Sequence, residues 1–567
     1  MRMSTDADRD DALAHATIAA AADAGITVFD TAHAYGRDGA ELGHNERLLA
    51  AALRACGAPT RARIVTKGGM TRAGGAWIPD ARAKALRRDC EASLAALDGM
   101  PIDLYLIHAP DPRTPWRTSV RALGRLLDER LVSHIGLSNV NRAQLDEALA
   151  LVQITAVEVG LGPLDDRPLR GGIVERCDEL GIAVIAHSPL GGPRRSGGLA
   201  RRESLAEAAR ACAATPAEVA LSWLLDLSPV VTPIPGARRP ETARSAARAA
   251  GLTLDPETQD ALRRAFGGAH PARPGPKSTP DRDDREVVLI MGVAGAGKSR
   301  AAEEYVARGY ARLNRDERGG ALRELAHALD YELSGGGRRV VLDNTYLTRA
   351  SRSYVIETAF RHGIATRCVW LDTPLADAQV NLVERLLDDL GALPAPEELR
   401  QLARHRSGLL APTSQMRTVR ELEPPSTDEG FAEVETREFV RVAPRGRMRA
   451  GVFVAAAALK RDGWQQAVAA GDPAAPHLLF DWSPDGAPEA LDDAVADLAR
   501  HIRAPVERAL CPHPGGPPIC WCRPPLPGLP LAFARSHDLD PARSVLIGTG
   551  PAHRNLAAAL GARFVGL

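Results

Sequence analysis

The sequence predicts three α/β modules in one chain: a (β/α)₈ TIM barrel, then a nucleotide-binding P-loop α/β domain, then a smaller α/β unit with a metal knuckle. Three observations lead there. Seven short apolar strands alternate with alanine-rich helical segments over residues 1–266, a glycine-rich loop follows a strand near residue 290, and three cysteines and one histidine fall within residues 511–522. At 567 residues the chain has room for about three to four domains of roughly 150 residues each.

In the first module the runs GITVFD, ARIVTK, IDLYLIH, VSHIGLS, ITAVEVG, IAVIAHS and VVTPIPG alternate with amphipathic stretches, which are repeated βα units. The segment before GITVFD reads as a helix, so the strand that would open the barrel is expected to be missing. Loops at the C-terminal strand ends of a parallel barrel converge, so polar side chains there are the candidates for chemistry. Asp30 follows ITVF, Tyr35 lies just beyond it, Lys67 follows IVT, and His108 follows LYLI. A neighbouring ammonium lowers the pKa of a tyrosine, and a carboxylate bonded to that lysine keeps it charged and oriented. Such a phenol can protonate a carbonyl oxygen as hydride reaches the carbon.

Composition adds weight to the lysine. Only five of the 71 basic residues are lysine, at positions 67, 84, 277, 298 and 460. In a chain where arginine fills nearly every solvated role, a retained lysine marks chemistry that a guanidinium cannot do: yielding a proton, or acting as a compact point charge.

Taken in order, FDTAHAYG, NERLL, TK, LIH and GLSN resemble the aldo/keto reductases, over about residues 9–265. The resemblance implies reduction of a small carbonyl substrate with NADP(H), with Tyr35 as general acid, Lys67 and Asp30 tuning it, and His108 orienting the carbonyl. It places Ser138 and Asn139 on the nicotinamide carboxamide. Ser188 in HSPLGG and Gly236 in IPGARRPE would line the pyrophosphate and adenosine side, with Arg238 or Arg239 meeting a 2′-phosphate. Glu158 stands where that family has glutamine beside the nicotinamide, and Ser245 and Ala246 replace its acidic-Asn pair facing adenine.

A linker rich in proline, glycine and charge, 267–285, leads into the second module, 286–440. Gly292–Ser299 reads GVAGAGKS after a strand and before a helix. Its amides would cradle the phosphates of ATP, with Gly292, Gly295 and Gly297 making the turn, Lys298 on the β and γ oxygens, and Ser299 on Mg²⁺. Asp316 closes ARLNRD, and Asp343 with Asn344 closes VVLDN. A carboxylate at either place could take the proton of an attacking hydroxyl. NRD followed by LDNT resembles the polynucleotide 5′-hydroxyl kinases, over about 287–410. That resemblance implies Asp316 as general base, Asp343 positioning metal or acceptor, Arg318 on the acceptor end, and Arg385 as the lid arginine that neutralises the transferring phosphoryl group. Arginines 312, 315, 318, 338, 339, 349 and 352 either line a groove for nucleic-acid phosphates or are ordinary solvated charge.

In the third module, 447–567, Cys511, His513, Cys520 and Cys522 can fill all four positions of a tetrahedral Zn²⁺ and leave none for water, a structural arrangement. CPHPGGPPICWCRPPLPG with VLIGTGPAHRN resembles the zinc-loop haloacid-dehalogenase-like phosphatases, which are Rossmann-like. Their chemistry needs two aspartates, a lysine and acidic Mg²⁺ ligands. Ala455, Ala457, Pro524, Thr549 and His553 occupy those places, so no phosphatase activity is expected.

Acidic and basic residues cancel at 71 each, so total charge points to no polyanion partner. No apolar run reaches about 18 residues and the start lacks a basic-then-apolar pattern, so neither a membrane span nor a signal peptide is expected. Eight cysteines in so long a chain suit a reducing cytoplasm. The combined expectation is a carbonyl reductase fused to a kinase of nucleic-acid 5′ ends. A small-molecule kinase and reductase sharing one metabolite, and a nucleotide-sensing scaffold without turnover, are the alternatives. Nothing in the sequence selects the carbonyl substrate or an oligomeric state.

Overall fold

The computed structural model describes residues 1–267, 285–337, 339–405, 408–441 and 448–567, and it divides into two compact units, Met1–Arg273 and Pro274–Leu567. Most of the expected linker 267–285 with Lys277, Arg338, and the boundary at 442–447 lie outside the described residues.

The strands of the first unit are β1 (Val28–Asp30), β2 (Arg63–Gly68), β3 (Met70–Ala73), β4 (Ala76–Pro79), β5 (Leu104–Ile107), β6 (His134–Ser138), β7 (Ala156–Gly160), β8 (Ala183–His187) and β9 (Val231–Ile234). Seven of them form one parallel sheet in the order β1-β2-β5-β6-β7-β8-β9, and β3 with β4 makes an antiparallel hairpin. Successive residues alternate sides: Val65, Leu106, Ala156 and Ile185 meet inside the curved sheet, while Ile64, Ile107, Val157 and Val184 face the helices. Each helix offers an apolar stripe to that outer layer. Trp116–Asp128, for example, buries Val120, Leu123 and Leu126 at helical spacing. The expected barrel has eight strands; the sheet has seven, and its edge strands β1 and β9 do not pair among the described residues. Outside that gap, helix Asp11–Asp23 packs against helix Pro240–Ala249 and continues the helical ring. The result is a near-barrel whose strands still converge at their C-terminal ends.

The second unit holds two five-stranded sheets, both parallel. The first runs β11-β12-β10-β13-β14, from β10 (Glu286–Met291), β11 (Ala311–Leu313), β12 (Arg339–Asp343), β13 (Thr366–Asp372) and β14 (Glu433–Glu438). Val287 to Met291 are each fully buried, as expected of a central strand covered on both faces. The second runs β17-β16-β15-β18-β19, from β15 (Val452–Ala455), β16 (His477–Trp482), β17 (Val506–Cys511), β18 (Val545–Gly548) and β19 (Arg563–Gly566).

These two modules, separate in the sequence reading, share a core. Leu382, Leu386 and Leu387 of helix Leu375–Leu390 pack with Phe453, Phe480, Leu531 and Leu556 of the C-terminal sheet and its helices. At about 2 kcal/mol for each fully buried leucine, that junction is a permanent part of the unit. No helix among the described residues is long and apolar enough to cross a membrane.

Candidate active sites and a metal knuckle

At the strand ends of the near-barrel, Lys67 is fully buried. Its ammonium donates to Asp30 at 2.5 Å and to the Thr31 carbonyl at 3.1 Å, and lies 3.1 Å from Glu158. Burial opposes charge on this lysine, but Asp30 and Glu158 outweigh it and hold the group protonated, above its ordinary range. Burial and the Asp30 charge raise the Glu158 carboxyl.

Lys67 Nζ sits 5.5 Å from the centroid of the Tyr35 ring. Burial raises the Tyr35 phenol, with Lys67 pulling against it, so the group is a neutral proton donor at physiological pH. The His108 ring stands edge-on to it at 5.7 Å between centroids. Burial, then Lys67 and His187, push His108 down to about 3, so it acts as a neutral imidazole, and its Nδ1 is buried without a hydrogen-bond partner.

Sequence reasoning missed two neighbours. Trp77 on β4 completes an aromatic triangle, 6.0 Å from Tyr35 and 5.9 Å from His108, and Arg72 stacks over it at 3.8 Å. The only signal was the Gly74-Gly75 turn of its hairpin. His187 bonds Asn139 Oδ1 at 3.1 Å through Nε2 and the Ser188 hydroxyl at 3.2 Å through Nδ1, while Asn139 donates to the His108 carbonyl at 3.0 Å. That chain of bonds joins Ser188, His187, Asn139 and the backbone of His108. Asn139 (φ +57°) and Ser188 (φ +51°) are both left-handed, a strain of about 1–3 kcal/mol for such residues that is typical of functional sites. Ser138 pairs in register with Glu158. Farther out, Gly236 and Arg239 are exposed, Arg238 is ion-paired to Asp6 and Asp8 at 3.3 Å each, and Ser245 donates to Glu218 at 2.8 Å.

In the second unit, the loop after β10 turns its carbonyls outward, each onto an identified donor. Val293 accepts from Lys298 Nζ (2.9 Å), Ala294 from Gln415 (2.8 Å), Gly295 from Asn381 (2.8 Å) and Ala296 from Thr373 (3.3 Å). Asn381, Gln415 and Thr373 come from elements after the loop, and no motif announced Gln415 or Thr373. Gly295 (φ +87°) has no room for a side chain, since a Cβ would lie 2.2 Å from the Ala378 carbonyl, and Gly297 (φ +92°) precedes helix Lys298–Val306. With its carbonyls occupied, the loop has backbone amides left for an anion, at the positive end of a helix.

The loop borders a cavity of about 650 Å³, also lined by Ser299, Asp316, Asp343 and Arg385, a size typical of small-molecule sites. Burial lowers Lys298 to about 8, with Asp343 opposing and Arg385 adding to the fall. Arg385 donates to the Gly408 carbonyl. Asn314 positions Asp316: its side-chain oxygen accepts from the Asp316 amide at 2.7 Å, and its amide donates to the Asp343 carbonyl at 2.8 Å. Asp343 itself is almost fully buried and gripped by Arg312 in a two-point pair at 2.8 and 2.7 Å.

Arg349 and Arg352 are buried, so these two neither line a groove nor carry ordinary solvated charge. Arg352 is fully buried and bonds Glu429 at 2.7 Å through two nitrogens; Arg349 is buried against Asp428 at 2.9 Å; Arg312 serves Asp343. A guanidinium already paired with a buried carboxylate gains little from a phosphate; of the others described, Arg318 is exposed and Arg315 and Arg339 are half-buried, as is Arg312.

Near the C-terminus, Cys511 Sγ lies 3.5 Å from His513 Nδ1, 3.7 Å from Cys520 Sγ and 3.4 Å from Cys522 Sγ, and His513 Nδ1 lies 3.2 Å from Cys522 Sγ. All four ligand atoms fall within 4.8 Å of one another. A tetrahedral zinc with bonds of about 2.0–2.3 Å separates its ligand atoms by about 3.5–3.8 Å, so this donor set fits the ion. Ala455 ends β15, Ala457 follows it, and neither offers a nucleophile.

Two family models match the chain. The aldo/keto reductase family covers residues 2–265, and a family described as an AAA domain covers residues 287–409. An uncharacterized oxidoreductase of Schizosaccharomyces pombe is 32% identical over 235 residues, which is 41% of this chain and 72% of that protein. A probable aldo-keto reductase of Glycine max is 33% identical over 242 residues, 37% of this chain and 67% of that one. Among solved structures, an aldo-keto reductase from Klebsiella pneumoniae in complex with NADPH is 26% identical, with 45% of this chain and 86% of that chain covered and a TM-score of 0.39.

Proposed function

Since the chain belongs to the aldo/keto reductase family, we propose that its first unit reduces a small aldehyde or ketone with NADPH, and that its second unit transfers phosphoryl groups from ATP to a hydroxyl. The observation that carries the first part is the buried Lys67, bonded to Asp30 beneath Tyr35.

When bound, NADPH supplies hydride to the carbonyl carbon. Tyr35 gives its phenolic proton to the carbonyl oxygen, and the Lys67 ammonium stabilises the phenolate that is left until solvent returns the proton. Neutral His108 donates to the same oxygen and orients it, and Trp77 walls the site on its apolar side. Ser138, Asn139 and Glu158 would hold the nicotinamide end. Ser188 and Gly236 would line the phosphates, with Arg239, exposed at the start of a helix, nearest to a 2′-phosphate.

In the second unit Lys298 would neutralise the transferring phosphoryl group together with Arg385, Ser299 would hold Mg²⁺, and Asp316 would take the acceptor's proton. We keep a nucleic-acid 5′-hydroxyl end as one acceptor. The burial of Arg349 and Arg352 favours a second reading, a smaller hydroxyl compound, because it removes the cationic track that a strand backbone needs. The C-terminal module, with three thiols and an imidazole as ligands and no aspartate nucleophile at Ala455 or Ala457, would be a structural zinc module.

Tyr35→Phe should abolish NADPH oxidation by a panel of aldehydes while NADPH still quenches protein fluorescence; retained turnover refutes the assignment. Labelled ATP offered with 5′-hydroxyl oligonucleotides or with a pool of small hydroxyl compounds separates the two acceptors. ATP binding without label transfer to either would mean a nucleotide sensor.

A further inference from the structure

We propose that the C-terminal module builds one wall of the base-binding half of the ATP pocket, so that a nucleoside triphosphate is held across both modules of the second unit. The inference rests on reading Gly292–Ser299 as the triphosphate site.

Topology sets the direction in which the nucleotide lies. In the order β11-β12-β10-β13-β14, the acceptor-side groups Asp316 and Asp343 follow β11 and β12, to one side of the loop after β10. A γ-phosphate pointing toward them leaves the nucleoside on the other side, over β13 and β14, at the switch point of the sheet. On that side the cavity runs without interruption from Lys298 past Phe439 and Val440 to Leu531, Ala542 and Leu560 of the C-terminal module. Its chemistry changes along this path. The loop end carries Lys298 and Arg385; the far end sets an aromatic ring and aliphatic side chains among Glu438, Arg441 and Asp540, apolar surface for a flat heteroaromatic base with polar groups at its edge. Val440 is 77% exposed beside it, a large apolar group at a pocket mouth that a bound base would cover.

The wall is fixed in place. Arg441, just past β14, donates both to Asp377 on helix Leu375–Leu390 and to the Ala559 carbonyl on helix Pro551–Leu560. One side chain thus ties the strand exit, the helix that carries Arg385, and the C-terminal module at the rim of the cavity. Beneath it the shared core of Leu382, Leu386, Leu531 and Leu556 prevents the modules from parting. A module without its own nucleophile can serve as a wall without competing chemistry.

The test compares two ligands on the full chain by titration calorimetry: MgATP, and inorganic triphosphate, which has no base. Ala542 is exposed, so Ala542→Trp fills the wall while leaving the core intact, and a melting curve like wild type's confirms it. This variant should raise the Kd for MgATP by about tenfold or more and leave that for triphosphate within about twofold. Phe439→Ala, on the facing side, should weaken MgATP by about fivefold or more through lost stacking, again without affecting triphosphate. Unchanged MgATP affinity in both folded variants overturns the wall. If wild type binds neither MgATP nor triphosphate, the triphosphate reading itself falls, and the wall with it.

Discussion

Two lysines, Lys67 fully buried and Lys298 half-buried, stand at the two sites, and the protein holds them in opposite ways. Lys67 touches two carboxylates, so its charge is fixed by the fold before any ligand arrives. Among the described residues Lys298 bonds only the Val293 carbonyl, and burial pulls it down to about 8. The difference follows from what each does. A lysine that tunes a neighbouring phenol must be charged in the free enzyme, because the phenol must be ready when substrate binds. A lysine that grips phosphates can leave its countercharge to the ligand, whose binding then repays the cost of burial.

The comparison breaks most visibly at Lys67. Lys67→Met should lower carbonyl reduction by about a thousandfold, within the usual range for general acid catalysis, and should leave Asp30 and Glu158 facing each other without a cation. Lys67→Arg should not restore activity, since guanidinium does not match a single-point ammonium. Steady-state turnover of a good aldehyde measures both, and a loss under tenfold for Lys67→Met would mean that the lysine is structural only.

These lysines were legible early because scarcity drew attention to positions 67 and 298, and each lay in a motif whose chemistry demands it. Asp30, Tyr35 and His108 were legible for a related reason: strand ends of a parallel sheet come to one place whatever the loops do. What sequence could not supply were partners set by tertiary approach. Trp77 arrives on a hairpin, His187 through a bond to Asn139, and Gln415 reaches the loop after β10 from over a hundred residues away. Gln415 carries no local pattern, and neither the strand-end place of His187 nor the Gly74-Gly75 turn before Trp77 says which side chain each will meet. In the sequence the arginines pass for surface charge or a groove, whereas Arg349 and Arg352 are interior struts, a distinction that depends on carboxylates 79 and 77 residues downstream. The same limit hid the shared core of helix Leu375–Leu390 and the C-terminal sheet, since its leucines look alike whether they face one domain or two.

The metal knuckle ranks next in expected effect. The purified chain should hold one zinc, and Cys520→Ser should lose it and lower the melting point of the second unit by about 10 °C. The neighbouring Trp521 packs in the shared core and donates to the Leu410 carbonyl, so MgATP affinity should fall as well. Metal analysis showing no zinc in wild type would remove the knuckle from the account.

A smaller effect belongs to Glu158→Gln, which leaves Asp30: the Glu158 carboxyl, raised to about 8, is largely protonated at pH 7 and becomes a second countercharge of Lys67 only at higher pH. Turnover at pH 7 should change by less than about threefold. Because Glu158 helps to raise Lys67, the alkaline limb of the pH–rate profile should move to lower pH. An unchanged profile would mean that Asp30 alone sets the lysine.

The contrast between the lysines is tested most directly by counting protons when MgATP binds. Free Lys298, at about 8, is mostly neutral at pH 9, and the phosphates would restore its charge, so binding should take up close to one proton (~0.9) at that pH. Affinity should correspondingly fall as pH rises above 8. Titration calorimetry in buffers of different ionisation enthalpy measures the count; uptake near one proton by wild type and near none by Lys298→Ala is the predicted result. Binding of MgATP by wild type at pH 9 with no proton taken up would contradict it, and would mean that Lys298, like Lys67, carries its charge in the free protein.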